Sequence, residues 1–232
     1  ADSVHPGYGF LSENHEFAEL IVANDLNWIG PSPKIIQAMG DKLSAKDMLD
    51  KAGVPMLPSI EISPETDIND AAKTIGYPVL VKASAGGGGK GMRVVESPET
   101  LIAAVESAQR EAKNAFGDDK VFLEKWLESV KHVEVQIVGD KHGNILHCFE
   151  RECSIQRRHQ KIIEEAPSPA VDEKLREALG KSAIEAAKTL NYFSTGTVEF
   201  LLSEQEFYFL EVNTRLQVEH PVTEEILGVD LV

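Results

Sequence analysis

Apolar positions along the chain switch between the helical spacing of three to four and the strand spacing of two, and these switches lay out the elements. Phe17, Leu20 and Ile21 recur at helical intervals over His15 to Ala23, after a Gly/Pro-punctuated loop from His5 to Asn14. Trp28 to Pro33 predicts a short strand closing into a turn. Two helices follow, the second from Asp41 to Ala52 with Leu43, Met48 and Leu49 as its apolar stripe and Gly53 as its stop. Val54 to Ser59 is linker-like, and a helix is predicted from Asp67 to Ile75. Ser97 as cap and Pro98 at the first position start a helix that runs to about Ala115, with Leu101, Val105, Ala108 and Ala112 on one side. Val121 to Leu127 reads as a strand entering a connector. His132 to Val138 alternates strictly, with His132, Glu134 and Gln136 on one face and Val133, Val135 and Ile137 on the other. Asp140 to Asn144 turns it back into a strand from Ile145 to Phe149. Asp172 to Leu190 is an amphipathic helix with Leu175, Leu179, Ile184, Ala187 and Leu190 at helical intervals.

Two hairpins carry the candidate chemistry. The β-rich runs Pro78 to Lys82 and Met92 to Val95 flank a loop holding Gly86, Gly87, Gly88, Gly89, Lys90 and Gly91. So many glycines cost conformational entropy, which suits a bare backbone laid against polyphosphate; the plain alternative is a flexible surface loop. The dinucleotide fingerprint needs a helix directly after its glycines, and a strand follows here; the Walker pattern needs Ser or Thr after its lysine, and Gly91 stands there. A strand-loop-strand flap over phosphates remains, with Lys82 at its base. Lys42, in the first turn of its helix, opposes the helix dipole and is either a solvated side chain or a group aimed at an anion.

The second hairpin joins Thr197 to Leu202 with Phe207 to Asn213. A turn centred on Gln205 puts Glu199 opposite Glu211 and Thr197 opposite Asn213. Facing carboxylates repel, so a cation belongs between them, and Glu199, Glu211 and Asn213 form a hard oxygen set suited to Mg²⁺ or Mn²⁺ held together with phosphates. A register off by one would instead send one glutamate to solvent. Arg215, Gln217 and Glu219 then alternate on an extended run, where they could bind and deprotonate a small oxyanion. The run from Glu150 to Lys161 is dense in both signs. Arg157, Arg158, His159 and Lys161 make it a candidate anion-facing loop, or a solvated charged face.

A formal net charge of -15 over 232 residues argues against a nucleic acid or an anionic membrane as partner. Cys148 and Cys153 show neither metal spacing nor a disulfide framework, which fits a reducing compartment. No apolar run is long enough to span a bilayer. The chain opens Ala-Asp-Ser-Val-His and stops at Leu231-Val232 in mid-pattern, so it is expected to be a fragment of a longer protein.

The stretches His5–Asn14, Lys82–Met92, Gln156–Lys161 and Glu211–Glu224 together resemble biotin carboxylase, the ATP-grasp component of acetyl-CoA, propionyl-CoA and pyruvate carboxylases. The resemblance implies an α+β or α/β fold: residues 1–40 as the end of a preceding Rossmann-like domain, residues 41–232 as a truncated ATP-grasp domain, and 78–150 including the glycine-rich flap. It implies that ATP is held by Lys42, Lys82, Gly88, Gly89, Gln156, His159, Glu199 and Glu211, with adenine at Glu124, Lys125, Trp126 and Leu127 and the ribose near His132. It makes Glu199, Glu211 and Asn213 ligands for two ions of Mg²⁺ or Mn²⁺. Bicarbonate would sit on Lys161, Arg215, Gln217, Val218 and Glu219, with Glu219 as base and Arg215 steadying the biotin enolate, so that Arg215, Glu219 and Lys161 are catalytic. Biotin would arrive on a separate carrier protein or domain, a carboxyltransferase would be a further partner, and the full-length protein would form a homodimer in the cytoplasm, or in the mitochondrial matrix of a eukaryote. The other readings are a different bicarbonate-activating ATP-grasp ligase, such as carbamoyl-phosphate synthetase, or a module that binds nucleotide without turnover.

Overall fold

The computed structural model describes residues 1–85, 92–158 and 160–232. In chain order the elements are β1 (Ser3–Val4), α1 (His15–Ala23), β2 (Asn27–Trp28), α2 (Pro33–Gly40), α3 (Lys42–Lys51), β3 (Ser59–Ile62), α4 (Ile68–Ile75), β4 (Val79–Ala83), β5 (Arg93–Val95) and α5 (Pro98–Phe116). There follow β6 (Val121–Lys125), β7 (Lys131–Gly139), β8 (Ile145–Arg157), β9 (Gln160–Glu165), α6 (Glu173–Thr189), β10 (Ser194–Ser203), β11 (Glu206–Asn213) and α7 (His220–Leu227).

Two antiparallel sheets carry most of the fold. The smaller has the order β3-β6-β4-β5, the larger β11-β10-β7-β8-β9, and β1 and β2 form a separate parallel pair. On the smaller sheet, Ala72 and Ile75 of α4 and Leu101, Val105 and Ala108 of α5 pack against Val79, Val81, Val121 and Leu123. On the larger, Leu179, Ala183 and Ala186 of α6 pack against Val133, Val135, Ile137 and Val198. Burying each of the larger side chains contributes about 1.5–3 kcal/mol, so these two layers fix the sheets on which the site is built. The alternation in β7 has an unusual consequence, since Glu134 and Gln136 on its polar face are as buried as the valines behind them. Charges in a sheet interior persist only when paired, so that face must meet partners.

Several expectations need correction. In α3, Met48 is exposed and the buried side is Ala45, Lys46 and Leu49. The run after Gly53 is no free linker: Val54 and Leu57 are buried, the Phe209 amide donates to the Pro55 carbonyl, and β3 begins at Ser59. Ser97 occupies the cap position of α5 without a capping side-chain hydrogen bond. Glu150 to Lys161 is not a loop, because β8 continues to Arg157 and turns into β9. The charges at its start are internal rather than solvated: Glu150 pairs with Arg176, and Glu152 with Lys131 and Ser168. Arg157 and Arg158 lie exposed at the hairpin tip, and of the described members of the expected basic cluster only Lys161 lines the cavity.

The register of the carboxylate hairpin is the expected one, reached by another route. Ser203 pairs with Glu206 across a tighter turn, Glu204–Gln205, which alone would misalign Glu199 and Glu211. A bulge beside Glu199 and Phe200, where Leu210 is the extra residue, restores the pairing Glu199–Glu211 and Thr197–Asn213. Both carboxylates therefore stand on one face of the ribbon.

Candidate active site

One cavity of about 630 Å³ lies between the two sheets, and every described residue singled out from the sequence as a site residue lines it. The smaller sheet and its neighbours supply Lys42, Lys82, Glu124, Lys125, Trp126 and Leu127. The larger sheet supplies His132, Gln156, Lys161, Glu199, Glu211 and Asn213, and the segment after β11 supplies Arg215, Gln217, Val218 and Glu219. That segment is a bend and turn rather than an extended run, with Glu219 as the cap residue of α7. Gly88, Gly89 and His159 lie outside the described residues.

Two clusters of charge face each other across the cavity. On the small sheet, Glu124 is buried between two lysines, accepting from Lys82 at 2.9 Å and from Lys46. Both ammoniums lie 5.5 Å from the centre of the Phe122 ring. Burial pushes the Glu124 pKa up, but Lys82 and Lys46 outweigh it and hold the group below the usual carboxylate value. Burial lowers the pKa of Lys46, helped by the charge on Lys82 and resisted by Glu124.

On the large sheet the ratio is reversed. Lys161 touches Glu134, Glu199 at 2.8 Å and Glu219 at 2.8 Å, the last as an ion pair without hydrogen-bond alignment. Burial opposes the charge on Lys161, and Glu199 and Glu134 overcome it and raise its pKa. Glu199 is the hub. Besides Lys161 it accepts from Asn213 Nδ2 at 2.7 Å and Gln217 Nε2 at 3.1 Å, and it meets His132 Nε2 at 2.6 Å. Burial alone would raise the pKa of Glu199; His132 and Lys161 together drive it well below the normal range. Gln156 Nε2, anchored on the Cys153 carbonyl at 2.7 Å, also donates to His132 Nδ1 at 2.8 Å, which leaves the ring proton on Nε2 facing Glu199. Although burial lowers the pKa of His132, the bond to Glu199 raises it further. Lys42 reaches Glu211 at 3.4 Å, and Arg215 donates to Gln217 Oε1 at 2.9 Å and to Glu13 Oε2 at 3.1 Å.

Residues 41–232 match the family described as carbamoyl-phosphate synthase L chain, ATP binding domain, and residues 1–36 match the biotin carboxylase N-terminal domain. The chain belongs to the carbamoyl-phosphate synthase L chain ATP-binding domain family. It is 53% identical to biotin carboxylase of Nostoc over 100% of its own length and 52% of that protein, and 54% identical to biotin carboxylase 2 of Bacillus subtilis, covering 53% of it. The chain thus spans about half the length of these relatives. Its backbone matches a crystal structure of the Campylobacter jejuni biotin carboxylase β-γ-ATP complex with a TM-score of 0.96 at 49% identity, over 100% of this chain and 52% of that one. A second match, TM-score 0.94 at 49% identity with the same coverage, is a dimer of the biotin carboxylase domain of Hydrogenobacter thermophilus 2-oxoglutarate carboxylase in complex with MgADP, ADP and bicarbonate. The fold is the ATP-grasp fold, mixed α and β, as the resemblance implied.

Sequence reasoning passed over three charged residues of this ATP-binding domain. Glu134 was placed on the polar face of β7 but given no role, although strict alternation around a buried strand was signal enough. Arg151, fully buried, donates to Glu134 at 2.6 Å, to Gln136 at 2.9 Å and to Thr223 of α7 at 2.8 Å; it was hidden in a run taken for a loop. Lys46 lies one turn after Lys42 and three residues before buried Leu49, a lysine on the inward stripe of α3.

Proposed function

We propose that this chain is the nucleotide- and bicarbonate-handling part of a biotin carboxylase, which carboxylates N1 of biotin with ATP and bicarbonate by way of carboxyphosphate. The observation that carries this reading is one ammonium, Lys161, set among Glu134, Glu199 and Glu219 beside Arg215 and Gln217, across a cavity from Lys42 and Lys82. The relatives named biotin carboxylase, and the neighbour holding MgADP and bicarbonate, support it.

In this reading Lys161, Arg215, Gln217 and Val218 hold bicarbonate and Glu219 takes its proton. A bicarbonate oxygen then attacks the γ-phosphorus as the bond to the β-phosphate oxygen breaks and ADP leaves. Carboxyphosphate divides into carbon dioxide and phosphate, the released phosphate takes the proton from biotin N1, Arg215 steadies the resulting enolate oxygen, and N1 then attacks the carbon dioxide. Glu124 to Leu127 hold adenine, His132 lies by the ribose, and Lys42, Lys82, Gln156, Gly88, Gly89 and His159 serve the nucleotide. Glu199, Glu211 and Asn213 fit Mg²⁺ or Mn²⁺, because their oxygens stand on one face and Glu211 meets Lys42 only at 3.4 Å. When bound, two such ions would neutralise charge on the phosphates.

Residues 1–40 belong in this reading to the preceding domain and 41–232 to the ATP-grasp domain. Biotin comes on a carrier protein or domain, a carboxyltransferase takes it onward, and the full-length protein is a homodimer. We place it in the cytoplasm, or in the mitochondrial matrix if the source is eukaryotic. Among the described residues no helix is long and apolar enough to cross a membrane.

The test is phosphate release from ATP with and without bicarbonate and biotin. Release that requires bicarbonate and rises with biotin supports the proposal. Nucleotide binding with no turnover would leave a binding module, and carbamoyl phosphate formed with ammonia would favour the synthase chemistry named by the matched family.

A further inference from the structure

Lys46 does not line the cavity, yet it touches Glu124, which does. Glu124 pairs with Leu80 across the β4–β6 ladder while Lys82 pairs with Phe122, so Glu124, Lys82 and Phe122 share one face of the sheet. Lys46 reaches that face from α3 and lies over the same Phe122 ring as Lys82. Glu124 and Lys82 alone would form a neutral pair, with nothing left over to draw an anion. The second ammonium changes the sum, because one carboxylate cannot cancel two lysines. Since Lys46 is itself 7% exposed, water screens its charge little, and the uncancelled positive charge is directed toward the cavity through Lys82. Burial lowers the pKa of Lys46 most, and the neighbouring Lys82 charge lowers it further against the pull of Glu124.

We infer that Lys46 is a positioning residue for polyphosphate: it holds Glu124 Oε1 while Lys82 holds Oε2, so the one carboxylate is shared and the pair of ammoniums keeps net positive charge for the anion. This rests on the nucleotide reading above and adds to it a residue that touches no ligand. The structure motivates a comparison of two ligands that share the base and sugar but differ in phosphate.

The experiment measures Kd for ATP and for adenosine, by calorimetry on the full chain, in the wild type, Lys46→Met and Lys46→Arg. The expected result is ATP binding about tenfold weaker in Lys46→Met, adenosine binding unchanged, and near wild-type ATP binding in Lys46→Arg. Lys46→Gln, which keeps a hydrogen-bonding group toward Glu124 without the charge, serves the same test should the Met variant not fold. ATP affinity unchanged in either neutral variant would overturn the inference. So would parallel loss of ATP and adenosine, which marks a merely structural lysine. A wild type that binds adenosine no worse than ATP would overturn the phosphate reading itself, a result separate from either.

Discussion

The two charge clusters use the same residue types in opposite ratios. Around Glu124, two lysines share one carboxylate; around Lys161, three carboxylates share that ammonium, the Arg151 guanidinium and the His132 ring. The first leaves positive charge facing the cavity and suits an anion such as a triphosphate. The second is rich in carboxylate oxygens and suits a divalent cation and a proton acceptor. A polyphosphate with its metal would lie along the gradient between them, so the fold sets the orientation of the substrate before any contact with its base. The difference also shows in partners, because the acidic cluster draws on Arg151 and His132 from the sheet interior, whereas the basic cluster rests on an aromatic ring.

Breaking the acidic cluster from within should have the largest effect. Arg151→Met leaves fully buried Glu134 with Lys161 as its one remaining cation, and loss of one partner of a buried pair costs about 3–5 kcal/mol, which urea unfolding would register as a lower midpoint with an unchanged slope. An unchanged midpoint would mean that Glu134 is neutral and Arg151 dispensable. Next comes Glu219→Gln, which removes the base of the proposed reaction while leaving Gln217, Arg215 and Lys161 in place. Bicarbonate-dependent phosphate release should fall about a hundredfold, with ATP affinity within about twofold. A similar loss in both would reassign Glu219 to nucleotide binding. Glu211→Gln, with one of two facing carboxylates gone, should weaken metal-dependent ATP binding about tenfold, seen as a shift in the Mg²⁺ concentration needed for half-saturation.

The smallest effect sharpens the contrast from the basic side. Because the Glu124 pKa is held below its ordinary 4.5, its stabilising contribution is whole above that pH and drains away as pH falls through the lower folded value. The stability gap between wild type and Glu124→Gln should therefore be constant from neutral pH down to about 4.5 and shrink below it. A gap that narrows already between pH 7 and 4.5 would contradict a carboxylate held below its ordinary value.

Much of the site was legible in the chain. The facing pair Glu199 and Glu211, the lysines Lys42 and Lys82, and the Arg215 to Glu219 run all line the one cavity, because hairpin alternation and helix-start position follow from local spacing. The glycine flap shows only its flanks: β4 and β5 pair antiparallel as expected, while its tip, 86–91, lies outside the described residues. The Glu150 to Lys161 run failed for a physical reason. Alternation of charges along a strand looks like a solvated surface unless the neighbouring elements are known to supply counter-charges, and here Lys131 and Glu134 come from β7 and Arg176 from α6.

Local sequence determined the elements, their buried stripes and the residue types offered to the ligand, since these depend on neighbours within a few positions. Tertiary structure decided which charges share a partner. The bulge at Leu210 aligned the acidic pair, α3 brought Lys46 to Glu124, and β8 carried Arg151 under Glu134. Each of these is a balance of charges held by different strands and helices, and a balance of that kind exists only once the chain has folded.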